Sequence, residues 1–310
     1  MSDTSTISEE TLRYGDHSLQ TISVTTLSHD HNAGYWVIFI HGGAWRDPRQ
    51  PSSTFDTTQS ILLSSPPYPA SVLRHIAAFA SIDYRLSPHP DFPQDPATVN
   101  PKDYRNAKHP DHIHDVEAAL ALLQSKYGFG ERYILVGHSC GATMSFQTVM
   151  GSLGGGFQSE SALSSPLPRP TAILGVAGIY DLRLLRDTYR DMPEWQEFIE
   201  GAFGSNEALW DSVSPARLEG ANGVESGWKA GRLVVLAHSP EDGLVDASQG
   251  EAMRWALTRW ERNQVDGRNR RVVMLPVKGQ HDDPWEKGEE LARAITVTVQ
   301  ELQKMGLVSS

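Results

Sequence analysis

From residue 35 onward, short apolar runs alternate with stretches whose apolar residues recur every three to four positions. The runs Tyr35–Ile40, Ala77–Asp83, Arg132–Val136, Ala172–Val176, Leu233–Ala237 and Val272–Pro276 are short and rich in β-branched and aromatic side chains, which predicts strands. The clearest helical pattern runs from Asp115 to Tyr127. There Val116, Ala119, Leu120, Leu123 and Tyr127 share one face, Asp115 is placed to cap the start and Gly128 to close the end. Further helices are expected over Ala247–Glu261 and Trp285–Lys304. Strand–helix alternation of this kind predicts an α/β fold, a mostly parallel central sheet flanked by helices.

Two stretches break the pattern. Leu86 to His109 contains Pro88, Pro90, Pro93, Pro96 and Pro101, with Pro110 just beyond, and reads as an ordered looping surface segment. Gly151 to Pro170 is rich in Gly, Ser and Pro and reads as a flexible connection. Because the alternation resumes after each, neither divides the chain. The expectation is a partly ordered N-terminal segment, 1–34, followed by a single catalytic domain, 35–310, with no internal repeat.

The 310 residues suffice for one large buried core. With 27 basic and 38 acidic residues the formal net charge is -11, which argues against nucleic acid or an anionic membrane as a partner. That balance leaves room for a local basic pocket. The one cysteine, Cys140, excludes an intramolecular disulfide and fits a reducing compartment. The polar, acidic start carries no signal-peptide or mitochondrial pattern, and no apolar run reaches membrane-spanning length, so the expected location is cytoplasmic. A homodimer is compatible with the chain, whose oligomeric state the sequence leaves open.

One pentapeptide names a chemistry. Gly137-His138-Ser139-Cys140-Gly141 follows the strand Arg132–Val136 and precedes a stretch, Ala142 to Met150, that can continue as a helix. A G-x-S-x-G turn between strand and helix presents its serine hydroxyl at the carboxyl end of a sheet. The hydroxyl needs a base, and the oxyanion formed on acyl transfer needs N–H donors. Gly42 and Gly43, in His41-Gly42-Gly43-Ala44-Trp45 at the exit of Tyr35–Ile40, are placed to supply such donors, as is the Cys140 N–H. His281, between the last strand and the last helix, is placed as base. After Leu233–Ala237 three carboxylates compete for the acid. Asp242 lies in an Asp-Gly-Leu-Val turn facing the base, Asp246 is suited to cap the following helix, and Glu241 is the third. The order Ser139, Asp242, His281 is the one this strand–turn–helix arrangement uses.

Other residues have competing readings. Cys140 is a rival nucleophile by chemistry, but its slot points into the packing beneath the turn. His138 reads as a packing or pocket-wall residue. His109, His112 and His114 cluster on one loop with a spacing that matches no common metal site, so they read as structural or pocket-lining, with no metal or organic cofactor called for. Trp45 has two open readings, stacking on an aryl ring of a substrate or packing under its loop.

His41-Gly42-Gly43-Ala44-Trp45, Asp83-Tyr84-Arg85-Leu86-Ser87-Pro88 and Gly137-His138-Ser139-Cys140-Gly141 together resemble the hormone-sensitive-lipase-like branch of the α/β-hydrolases. More narrowly, His41 through Pro48 is similar to the fungal kynurenine formamidases, as are the loop His109–Asp115 and the tail Gln280-His281-Asp282. The resemblance implies an α/β-hydrolase fold and an arylformamidase. Such an enzyme cleaves N-formyl-L-kynurenine to L-kynurenine and formate through a formyl-enzyme, in tryptophan degradation toward NAD. It also implies Ser139 as nucleophile, Asp242 as acid, His281 as base, and Gly42, Gly43 and Cys140 around the oxyanion. The partner is then a small aryl formamide. A general carboxylesterase for short or aryl esters is the alternative within the class, and a non-catalytic ligand-binding homologue the alternative outside it.

Overall fold

Every apolar run of the alternating region becomes a strand, and two more strands precede them. The computed structural model describes residues 7–27, 34–68, 72–153, 167–263 and 267–308. Its strands are Ser8–Arg13 (β1), Thr21–Thr26 (β2), Tyr35–Ile40 (β3), Ile76–Ile82 (β4), Tyr133–His138 (β5), Ala172–Val176 (β6), Leu233–His238 (β7) and Arg271–Pro276 (β8). They form one sheet in the order β1-β2-β4-β3-β5-β6-β7-β8. The pairings β1–β2 and β2–β4 are antiparallel, and all others are parallel.

The central strands β3, β4, β5 and β6 are buried at every position, as strands covered on both faces must be. Alternate side chains feed two cores. Trp36, Ile38 and Ile40 face one, with Val116, Leu120 and Leu257. Val37 and Phe39 face the other, with Leu291, Ile295, Val299 and Leu302. Truncating one of these fully buried aliphatic side chains to alanine is expected to cost about 2–5 kcal/mol.

The flanking helices are Asp56–Ser64 (α1), Asp111–Tyr127 (α2), Cys140–Gln147 (α3), Ser248–Arg262 (α8), Asp283–Glu286 (α9) and Glu289–Lys304 (α10). Between β6 and β7 stand four short helices, Leu182–Thr188 (α4), Pro193–Phe203 (α5), Glu207–Val213 (α6) and Val224–Gly227 (α7). Their starts are marked locally: the Asp181 side chain accepts from Leu184 N, the Asn206 side chain accepts from Ala208 N, and Pro193 opens α5.

The structure corrects three expectations. Residues 1–34 are not only a segment ahead of the fold, since β1 and β2 belong to the same sheet and Ile22 and Val24 sit in its core. Residues 1–6 and 28–33 lie outside the described residues. Helix α2 begins about a turn earlier than Asp115, so Asp115 is no cap. It is buried inside the helix and receives Arg85 N, Nε and Nη2 and Gln20 Nε2 at 2.8–3.1 Å. The last helical stretch is split at Gly288, whose φ of +81° interrupts it, and a Cβ there would press on Ile61 and Thr57 of α1. The sequence pattern marks none of the four helices between β6 and β7. Most of the Gly151–Pro170 connection, 154–166, lies outside the described residues. Leu86–His109 contains no helix or strand, yet it is tied down by Ser87 N to Trp45 O, Ala107 N to Leu86 O and Arg105 Nη2 to Phe92 O. Among the described residues no helix is long and apolar enough to cross a membrane.

Candidate active site

Ser139 sits between β5 and α3 at φ 54°, ψ −121°, a conformation that costs a non-glycine residue on the order of 1–3 kcal/mol. Neighbouring strands hold it there. Its N–H donates to Val176 O at 2.9 Å, and its carbonyl accepts from Ala142 N at 3.1 Å and Ile179 N at 3.3 Å. The flanking glycines are needed because backbone meets backbone: a Cβ on Gly137 would overlap Ala142 N and Gly141, and one on Gly141 would overlap Ile40 O.

The loops after β7 and β8 bring acid and histidine together. His281 Nδ1 lies 2.8 Å from Asp242 Oδ2. The Asp242 side chain is 1% exposed, and its other oxygen accepts from Leu244 N and Val245 N, each at 2.9 Å. Burial works to raise its pKa, but the His281 hydrogen bond and charge and the two amides outweigh it and hold the carboxyl below its ordinary range. With Nδ1–H given to the carboxylate, His281 Nε2 is left as a proton acceptor. Asp246 instead caps α8, its Oδ1 accepting from Ser248 N at 2.8 Å, and Glu241 is exposed. The geometry therefore selects Asp242 as the partner of His281.

His138 supports the same loop from beneath. Its Nε2 is 2.9 Å from the His281 carbonyl and its ring centroid 4.8 Å from the His281 ring, while burial, helped by His281, pushes its pKa down to about 4. As a neutral, fully buried ring it is a positioning group.

The loop after β3 carries Gly43, Ala44 and Trp45 at φ 89°, 50° and 60°. Gly43 O accepts from Arg46 N at 2.9 Å and Asp47 N at 2.8 Å, and the Tyr84 hydroxyl donates toward Gly42 O at 3.0 Å. His41 stacks on Tyr84 with ring centroids 4.3 Å apart. Gly42 lies against Ser139, since a Cβ there would be 2.6 Å from His138 Nδ1 and 3.1 Å from Ser139 Cβ. Gly43 and Ala44 line the cleft. Cys140 occupies the first turn of α3, where an amide has no intrahelical acceptor. Its sulfur points away, accepting from Trp45 N at 3.3 Å, and burial pushes the thiol up to about 11, so it is protonated at neutral pH.

Trp45 corrects the ring-stacking reading. It is 0% exposed and packs edge-on against Phe203, centroids 5.0 Å apart, beneath the loop. The aromatic wall of the cleft comes instead from Trp195 and Phe198 of α5. The Trp195 indole also donates to Leu244 O at 3.0 Å, joining α5 to the acid loop. This wall is absent from the sequence reading, although the spacing of Trp195, Phe198, Ile199, Ala202 and Phe203 is that of an apolar helix face.

The cleft holding Ser139 and His281 has a volume of about 310 Å³. Arg46, Arg49, Asp47, Glu194 and Asp282 supply its charge, and His89 reaches it from the 86–109 loop. Of the three histidines expected on one loop, His112 and His114 lie in α2 and only His109 precedes it, and they do not converge on the cleft as a group. His112 is buried against Ser87 Oγ at 3.1 Å and His109 packs on Phe203, and burial pushes them down to about 3 and about 4. Among the described residues, His138, His281 and Asp282 bring ligand-type atoms within 4.8 Å of one another. His281 Nδ1 is committed to Asp242, His138 Nε2 to the His281 carbonyl and Asp282 Oδ1 to the Trp285 indole. His138 Nδ1 is buried without a hydrogen-bond partner, so hydrogen bonds take up only part of that donor set.

No family model matches the chain. Among curated proteins it is similar to the kynurenine formamidase-like hydrolase fscH of Fusarium equiseti, 38% identical over 278 residues that cover 90% of this chain and 87% of that protein. It is also similar to the kynurenine formamidase avaC of Aspergillus versicolor, 36% identical over 294 residues covering 88% and 91%. Among solved structures, esterase B from Lactobacillus rhamnosis matches with a TM-score of 0.62 at 18% identity, covering 97% of this chain and 85% of that one. A truncated carbohydrate esterase from gut microbiota matches with a TM-score of 0.60 at 18% identity, covering 98% and 99%. At these identities the structural matches speak to the fold alone, which is that of the α/β-hydrolases.

Proposed function

Because this chain belongs to the kynurenine formamidase family of α/β-hydrolases, we propose that it hydrolyses the formamide of N-formyl-L-kynurenine to L-kynurenine and formate, a step of tryptophan degradation toward NAD. The observation that carries the reading is the 2.8 Å His281–Asp242 contact on the loop that opens into the cleft of Ser139. Ser139 Oγ attacks the formyl carbon and its proton passes to His281 Nε2. The amides of Gly43 and Cys140, with Gly42 behind them, stabilise the oxyanion. Asp242 stabilises the imidazolium, which then gives its proton to the departing nitrogen as the C–N bond breaks. An arylamine leaves more readily than an alkylamine, and a formyl ester remains on Ser139. Water deprotonated by His281 attacks that ester and releases formate, restoring the hydroxyl.

Trp195 and Phe198 offer flat apolar surface for the aryl ring, and the formyl group needs little room on its other side. The test is turnover of N-formylkynurenine and of a short p-nitrophenyl ester by the wild type and by Ser139→Ala. A kcat about 10⁴-fold lower in Ser139→Ala is expected for loss of a triad member. A preference for the ester by orders of magnitude would make the protein a general carboxylesterase. Failure to react with a serine-directed phosphonate would make it a non-catalytic homologue.

A further inference from the structure

The amino-acid end of the substrate carries a carboxylate and an ammonium, and a chain of net charge -11 does not attract the carboxylate by its overall field. The cleft has a local answer. Arg46 follows Trp45 directly, and its N–H is bonded to Gly43 O at 2.9 Å, so its backbone is fixed to the loop that faces Ser139. The Arg46 side chain is only 13% exposed, with its guanidinium carbon 5.9 Å from the centre of the Phe198 ring. Nη1 meets Glu197 Oε1 at 3.2 Å, and that carboxylate is 53% exposed. The other cleft arginine, Arg49, is 67% exposed and already forms a two-pronged bond with Asp47 at 3.0 and 2.8 Å, so its charge is answered within its own turn. Arg46 also lines a second cleft of about 400 Å³ under the 86–109 loop, which Glu197 lines too. Arg46 thus belongs to both clefts while Glu197 lines only the second, so the pair stands at the border between them, a largely buried cation against a solvent-facing anion.

We propose that this pair is the receptor for the α-amino-acid group of the substrate, Arg46 taking the carboxylate and Glu197 the ammonium. The inference rests on the formamidase reading above and adds the source of its selectivity. A guanidinium can hold a carboxylate through two parallel N–H bonds, and Glu197 swings with little obstruction to admit the zwitterion. Both residues are specificity determinants, remote from the bond that breaks.

The test compares kcat/KM for N-formylkynurenine with that for two truncated substrates: formylkynuramine, which lacks the carboxylate, and the desamino analogue, which lacks the ammonium. In Arg46→Met the ratio of N-formylkynurenine to formylkynuramine is expected to fall about 10- to 100-fold, the scale of a charge-assisted hydrogen bond, mostly through KM. Arg46→Lys restores part of it, because a point charge replaces the fork. In Glu197→Gln the ratio that falls is the one against the desamino analogue. Equal loss on full and truncated substrates would mean that Arg46 only supports the loop, and would overturn the proposal while leaving the formamidase reading intact. A wild-type protein that turns over no aryl formamide would overturn both. Circular dichroism of each variant accompanies the kinetics, and Glu197→Gln, at an exposed position, tests the pair even if Arg46→Met fails to fold.

Discussion

Asp242→Asn isolates the role of the acid, because the replacement keeps the shape and changes only the proton inventory. The asparagine oxygen can still accept from the Leu244 and Val245 amides that hold Asp242 Oδ1 at 2.9 Å. Its NH₂ group then faces His281 Nδ1 across the present 2.8 Å contact and can only donate. That forces the proton of the neutral imidazole onto Nε2, the nitrogen that accepts from Ser139 in the proposed reaction. Loss of the charge-assisted bond to the imidazolium accounts for about 1.5–3 kcal/mol. Adding the wrong tautomer brings the loss to about 10⁴ in kcat, as seen for this exchange in a serine-protease triad, or about 5 kcal/mol of barrier. The assay is steady-state turnover of N-formylkynurenine, with thermal unfolding to verify the fold. Asp246→Asn is the control. It keeps the cap on Ser248 N, since Asn and Asp cap equally well, and kcat should stay within about threefold. A kcat for Asp242→Asn within tenfold of wild type, or abolition by Asp246→Asn in a folded protein, would refute the reasoning.

Gly141→Ala should destabilise by about 4 kcal/mol or more, because the new Cβ meets the Ile40 carbonyl of a central strand; a soluble, fully active variant would contradict the close approach. Cys140→Ala should retain kcat within about tenfold, and iodoacetamide should leave the wild type active, since the thiol is buried and its pKa is about 11. Inactivation by alkylation of the folded protein would reopen Cys140 as a reactive group. Burial first, and neighbouring basic side chains second, depress His112 to about 3 and His138 to about 4 in the fold, from an ordinary 6.5. Between 6.5 and those values the unfolded chain binds protons that the folded chain does not. Stability is therefore full above about pH 6.5 and falls below it, by up to about 1.4 kcal/mol per pH unit for each histidine. Urea unfolding at pH 7 and pH 5 measures this, and an unchanged midpoint would count against it.

The elements most legible in the chain were those whose signal is local. β3 and β6 have the limits expected of them, because a strand buried on both faces must be an uninterrupted apolar run. The Gly137–Gly141 and His41–Trp45 segments were legible for a similar reason, since tight turns restrict residue type at each position. β1 escaped notice because it is an edge strand with a polar, exposed surface, and β2 because its apolar residues alternate with Ser and Thr. Helices α4 to α7 are short, and their apolar faces have meaning only against the sheet end they cover.

The sequence by itself determined the α/β alternation, the serine on its turn, and the order in which serine, acid and histidine occur. Tertiary structure paired His281 with Asp242 rather than Asp246, turned Trp45 inward against Phe203, moved Asp115 from cap to counter-ion of Arg85, and raised Trp195 and Phe198 as the wall of the cleft. The division has one physical cause. Backbone conformation and periodic burial are set by neighbours a few residues away, whereas a side chain's partner across a cleft is set by the packing of segments far apart in the chain.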